Sequence, residues 1–157
     1  MNITFSQVES LRSSLTQVGA KPDVLFYAFH TRLSMLTPTM RLIIAGDLRE
    51  RGEALFQLLI TAVDHIHDRP LATASVWAFN EWLSSYGKAR IKDEVVKEAL
   101  LWALGRVLGI EMFPLVLLAW CDLISRLREI DQELGDLYYV ETTYVACPPP
   151  ALHVTLN

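Results

Sequence analysis

The stretch VVKEALLWALGRVLG, from Val95 to Gly109, decides how the chain is read. It is rich in alanine and leucine, holds no proline and ends on glycine. It therefore reads as a helix from about Asp93 to Leu108 that stops at Gly109. Downstream, a sixth helix opens near Met112. Pro114 falls early in its first turn, where proline is tolerated, and the helix continues to about Tyr138. Its segment FPLVLLAWC, Phe113 to Cys121, is the richest apolar run of the chain. That run is far short of the ~18–20 residues that span a bilayer, and charges follow it at once. It reads as a buried helix, not a membrane segment.

Upstream the same period recurs. Ser6 followed by Glu9 has the spacing of a capping box, and Val8, Leu11, Leu15 and Val18 then share one helical face. Gly19 and Pro22 break this helix. A second runs from Asp23, beside Pro22 at its start, to Leu36, with Leu25, Phe26, Phe29 and Leu33 as apolar positions. Thr37-Pro38 ends it. Residues 39–48 read as a short irregular stretch. A third helix covers about Arg49 to His67, with Leu55, Leu58, Leu59, Ala62, Val63 and Ile66 as its stripe, and Asp68-Arg69-Pro70 closes it. A fourth runs from about Leu71 to Tyr86, with Gly87 as its C′ residue. Lys88 to Lys92 is a basic, solvated connector.

No segment before residue 138 alternates with period two. The expectation is an all-α domain over residues 1–138, followed by a tail over 139–157. The tail carries Thr142, Thr143 and the run Pro148, Pro149, Pro150. It is expected to be extended, as polyproline II, either as an ordered arm or as a loose end. A length of 157 residues suits one domain. At 52% hydrophobic and 20% charged residues, the chain has ample material for a core. The net charge of −4 gives no grip on a phosphate backbone, which argues against nucleic acid as partner. The opening MNITFSQVES lacks the positive start and long apolar stretch of a secretory signal. The two cysteines, Cys121 and Cys147, form no CxxC pair. A cytoplasmic, reducing location is the expectation.

Six helices with two long ones last suit a globin-like arrangement, and particular residues sharpen that suggestion. Val95 to Gly109 resembles the penultimate helix of the bacterial single-domain haemoglobins and of the globin domain of flavohaemoglobins. Trp120, within LLAWCDLI, matches the tryptophan of their last helix. Asp136-Leu137-Tyr138 is similar to the D-L-Y near its end. Phe29-His30-Thr31-Arg32-Leu33 followed by Pro38 resembles the family's F-Y-x-x-L/M…P. Ile66, Pro70 and Gly87 fall where the family has them, and the resemblance covers about residues 5–138.

The resemblance also implies which chemistry has been lost. A haem globin holds iron through a proximal imidazole. In this family that histidine stands four residues before the glycine at Gly87, which places Leu83 at the ligand position. The distal tyrosine falls at His30, the haem-wedging phenylalanine near Ile44 and the distal glutamine near Arg51. The tyrosine that supports the proximal histidine falls at Asp93. Trp102 stands where the family carries a small residue, and Leu55 belongs to the same remodelled pocket. Trp77, Phe79 and Trp82 lie on the fourth helix. Indoles bury about 150–250 Å² each, so they are expected to occupy space a porphyrin would fill. An empty haem-sized hole, at ~24 cal/mol per Å³, would cost on the order of 10 kcal/mol. That rivals the stability of a whole domain.

Other residues invite chemistry and mostly decline it. His65 and His67 in DHIHD are two apart and so diverge on a helix, where a metal pair needs a spacing of three or four. They read as a polar helix end. His30 reads as a buried, hydrogen-bonded imidazole, with distal haem ligation as the alternative. Cys121 reads as a small hydrophobe, and Arg51 and Glu53 as solvated. No Ser/His/Asp set, carboxylate pair or phosphate loop stands out, so no enzyme activity is expected. The resemblance to haem-free globins implies a sensory or regulatory protein without a cofactor, acting through protein contacts or self-association as a dimer. The alternatives are a haem globin for oxygen or redox chemistry, ligated through His30, His65 or Cys121, and a carrier of an apolar ligand such as a fatty acid.

Overall fold

The computed structural model describes residues 2–38, 47–85, 91–112 and 114–146. They form six α-helices: α1 (Phe5–Val18), α2 (Pro22–Leu36), α3 (Leu48–Asp64), α4 (Arg69–Ser84), α5 (Asp93–Leu108) and α6 (Leu115–Ala146). A 3-10 turn, Gly109–Met112, links the last two. Among the described residues there is no strand. The all-α expectation holds.

The helix ends follow local chemistry, sometimes at positions other than those the spacing suggested. The N-cap of α1 is Thr4, not Ser6. Thr4 Oγ1 accepts from Gln7 N at 3.1 Å, and Gln7 Oε1 accepts from Thr4 N at 2.9 Å, completing a capping box two residues earlier. Ile3 and Val8, the N′ and N4 residues of that frame, are both buried in the main core cluster. This is the pattern of a hydrophobic staple, which a cap at Ser6 would place on Phe5 and Ser10. Pro22 occupies the first turn of α2, where its missing N–H costs nothing, and Asp23 sits beside it near the positive end of the dipole. Asp47 caps α3 through Arg49 N.

Helix α3 ends at Asp64, earlier than expected, with His65 as its C-cap. Asp68 and Pro70 therefore open α4: Asp68 Oδ1 accepts from Leu71 N at 3.2 Å. Helix α5 has the expected bounds. Its C-cap Gly109 has φ +61°, the one left-handed residue among those described. Helix α6 starts after Pro114 and runs past Tyr138 to Ala146. Residues 139–146 are thus helical, not extended, and Asp136-Leu137-Tyr138 lies inside the helix. Residues 147–157, with the triple proline, lie outside the described residues, as do Ile44, Tyr86 and Gly87.

Helix α2 is the centre of the packing, crossing both α3 and α5, while α1 and α4 each pack on α6 and on α3. Leu25, Phe26, Phe29 and Leu33 of α2, Leu55 of α3, Leu104 of α5 and Trp120 and Leu123 of α6 are fully buried in one cluster. Each such side chain contributes roughly 1.5–3 kcal/mol through lost water contact. Trp120 Nε1 donates to Ser14 Oγ at 3.0 Å, and Ser14 Oγ donates to Leu11 O at 2.7 Å, so the buried polar atoms on α1 and α6 satisfy each other. Gly52 allows the α2–α3 crossing: a Cβ there would overlap the backbone carbonyl of Pro22. Among the described residues, no helix is long and apolar enough to cross a membrane.

Candidate functional site

Two features meet at α4: an aromatic–cation cluster and an apolar cavity. In the first, the Trp82 ring lies 6.0 Å from Phe26, edge to face, 6.0 Å from Phe29 and 5.9 Å from Phe79. Rings at these separations attract beyond their area burial. Arg51 reaches across from α3. Its guanidinium carbon is 5.5 Å from the Trp82 ring centre and 5.6 Å from that of Phe26, and Nη2 donates to Ser85 Oγ at 3.1 Å. His30 stacks on the other aromatic of the pair, 5.8 Å from Phe26 with 29° between planes. Burial, and secondarily the nearby Arg51 charge, hold the His30 imidazole below its ordinary 6.5. The ring is therefore neutral at pH 7.

The cavity lies among α3, α4, α5 and α6 and measures about 100 Å³. Leu59 and Ala62 of α3, Val76 of α4, Val96 and Leu100 of α5, and Trp120 and Leu123 of α6 form its buried floor. Phe79 and Leu83 of α4 form a half-buried wall. The mouth is charged. Asn80 Nδ2 donates to Asp131 Oδ1 at 2.8 Å. Arg128 Nε lies 3.9 Å from Asp93 Oδ2, and its Nη2 pairs with Glu94. Lys97 lines the same mouth and has no carboxylate partner among the described residues.

The structure thus brings His30 and Arg51 together around Phe26 and Trp82, and puts Leu83 and Asp93 on the cavity. Leu55 is buried one turn after Arg51. Trp102 stands apart: the guanidinium carbons of Arg32 and Arg106 lie 5.7 and 5.4 Å from its ring centre, and Arg32 also bonds Glu98 at 2.6 Å. Trp77 is 64% exposed and fills no interior space. Ile44 is outside the described residues. Arg51, expected to be solvated, instead lies over two rings. His65 caps α3, while His67 Nε2 donates to Ile3 O at 2.5 Å with its ring 4.9 Å from Phe5. Among the described residues, no group of three or more His, Cys, Asp and Glu is placed to hold a metal ion.

Lys97, Arg128 and Asp131 were not singled out from the sequence. Their signal was there: Asp93, Val96, Lys97 and Leu100, like Trp120, Leu123, Ile124, Leu127 and Arg128, fall at helical spacing on one face. Nothing along the chain says that the two faces oppose one another across a gap. No family model, no curated protein and no solved structure matches this chain.

Proposed function

We propose that this chain is a haem-free, globin-like regulatory module that works through contacts with a protein partner or a second copy of itself. The carrying observation is Leu83. It stands where the resemblance puts the iron ligand, has no lone pair to offer, and lines a cavity of about 100 Å³. A porphyrin needs several times that space, and Trp82 is packed into the Phe26–Phe29 surface beside it. The residues present do not fit haem. His30 lies with its ring on Phe26 beside the Arg51 cation, His65 serves as a helix cap, and Cys121 is half-buried on α6. A body of six helices among the described residues, closing on the 32-residue α6, supports the globin-like reading, and the missing ligand supports its haem-free form. The test is an absorption spectrum of protein expressed with a haem precursor, followed by haemin titration. The expected result is no Soret band in the purified protein and no stoichiometric end point. A one-to-one haem complex overturns the proposal.

The cavity favours a second reading, in which the module binds an apolar small molecule. Organic extraction of the purified protein and mass spectrometry test it. Recovery of one compound near one equivalent supports binding, and an empty extract with no ligand uptake removes it.

A further inference from the structure

We infer that the cavity among α3, α4, α5 and α6 is a binding site for a single-ring monocarboxylate, with the ring inside and the carboxylate on Lys97. The inference rests on the small-molecule reading above and adds the class of ligand. Size sets the body of the ligand. An apolar cavity of about 150 Å³ lined by Leu, Ile and Phe accepts a benzene ring. The present cavity is smaller, about 100 Å³, but open at its mouth, so no more than one ring fits and its polar end stays at the opening. A porphyrin or a long acyl chain exceeds it. The lining suits an aromatic guest, because Phe79 and Trp120 stand in it beside Leu100 and Leu123.

Charge at the mouth sets the head. Asp93 is engaged by Arg128, and Asp131 accepts from Asn80. Arg128 is held by Glu94, with its Nε 3.9 Å from Asp93, beyond hydrogen-bond reach. Lys97 is the cation of this rim without a carboxylate partner among the described residues, and it is half-buried, so water screens it less than a surface lysine. A ligand carboxylate would supply the missing partner through a charge-assisted hydrogen bond. A dianion is disfavoured by the two aspartates already at the rim, and a cationic head by Lys97 itself.

The experiment titrates the full chain with phenylacetate, with its neutral isostere phenylacetamide and with the cationic phenethylamine, following methyl resonances by NMR. Phenylacetate is expected to bind about fivefold or more tightly than phenylacetamide, with ring-to-methyl NOEs to Leu100 and Leu123. Lys97→Met, a change at the rim that leaves the core intact, is expected to bring the two ligands to parity. Equal binding of acid and amide in the wild type, tighter binding of the amine, or a preference that survives Lys97→Met overturns the assignment of the head while leaving an apolar site standing. Absence of saturable binding by all three overturns the inference, while the small-molecule reading stands or falls separately on the extraction.

Discussion

At the scale of single residues, Gly52 and His30 carry the most specific expectations. Gly52 is buried where α3 passes the start of α2, and a methyl group there meets backbone, not a side chain that can swing away. Gly52→Ala gains helix propensity but must push two helices apart. Overpacking of this kind costs about 1–3 kcal/mol. Urea unfolding should therefore show a net loss of stability, and a stabilised variant would refute the close crossing. His30 makes the opposite kind of claim, one about pH. Its folded-state value lies below the 6.5 of the unfolded chain, so the unfolded state binds more protons in the window beneath 6.5. Stability from the neutral ring is therefore complete above about pH 6.5 and is lost as pH falls through the lowered folded value. The difference in unfolding free energy between wild type and His30→Gln should shrink from pH 7.5 to pH 5. A difference that stays flat or widens would mean the ring is not desolvated as described.

At the scale of helices, the caps decide where elements begin. Thr4→Ala removes the hydroxyl that accepts from Gln7 N, while the backbone N–H of residue 4 can still donate to Gln7 Oε1. A loss of about 0.5–2 kcal/mol is expected in chemical denaturation, against no more than about 0.5 kcal/mol for Ser6→Ala, which lies inside the helix. Equal effects would restore Ser6 as the cap. The same comparison shows what the sequence made legible. Both frames satisfy the capping-box spacing, and only the apolar pair Ile3 and Val8 separates them. Helix α5 was legible end to end because Gly109 supplies a left-handed stop that few other residues tolerate. Helix α6 runs beyond the expected end at Tyr138, through Thr142 and Thr143, to Ala146. β-Branched residues cost only a few tenths of a kcal/mol each in a helix. The strong stop nearby is Pro148, which disfavours helical geometry in the residue before it. At the site, the resemblance singles out His30, Arg51 and Leu83, but it says nothing of the Phe26–Trp82 cluster around the first two. The cavity was not legible, since its floor is made of leucines, valines and alanines that look like ordinary core on every helix that supplies them.

At the scale of the whole molecule, the spacing of the helices sets what the interior can hold. Among the described residues, the ion pairs that join different helices, Arg12–Asp64, Arg32–Glu98, Arg69–Glu133 and those of Arg128 with Glu94 and Asp93, are all at least partly exposed to solvent. Each is worth about 1 kcal/mol or less, so they do not fix the distance between α3, α4 and α6. That distance is set by the shared core, in which α4 contributes Phe79, Trp82 and Leu83 to the main cluster and Ala72 and Val76 to a second cluster with Ile130 of α6. An imidazole placed at position 83 therefore should not by itself create haem binding. Leu83→His would place a ligand on the wall of a cavity of about 100 Å³, while Trp82 remains packed on Phe26 and Phe29. Admitting a porphyrin would mean parting α4 from both clusters and giving up several buried side chains at roughly 1.5–3 kcal/mol each. Haemin titration of Leu83→His is expected to give weak, non-saturating absorbance changes and no rise in thermal stability. Tight one-to-one binding would mean that the helices still part to a haem-sized pocket. The haem-free state proposed for this chain would then rest on a single residue and not on the packing of the molecule.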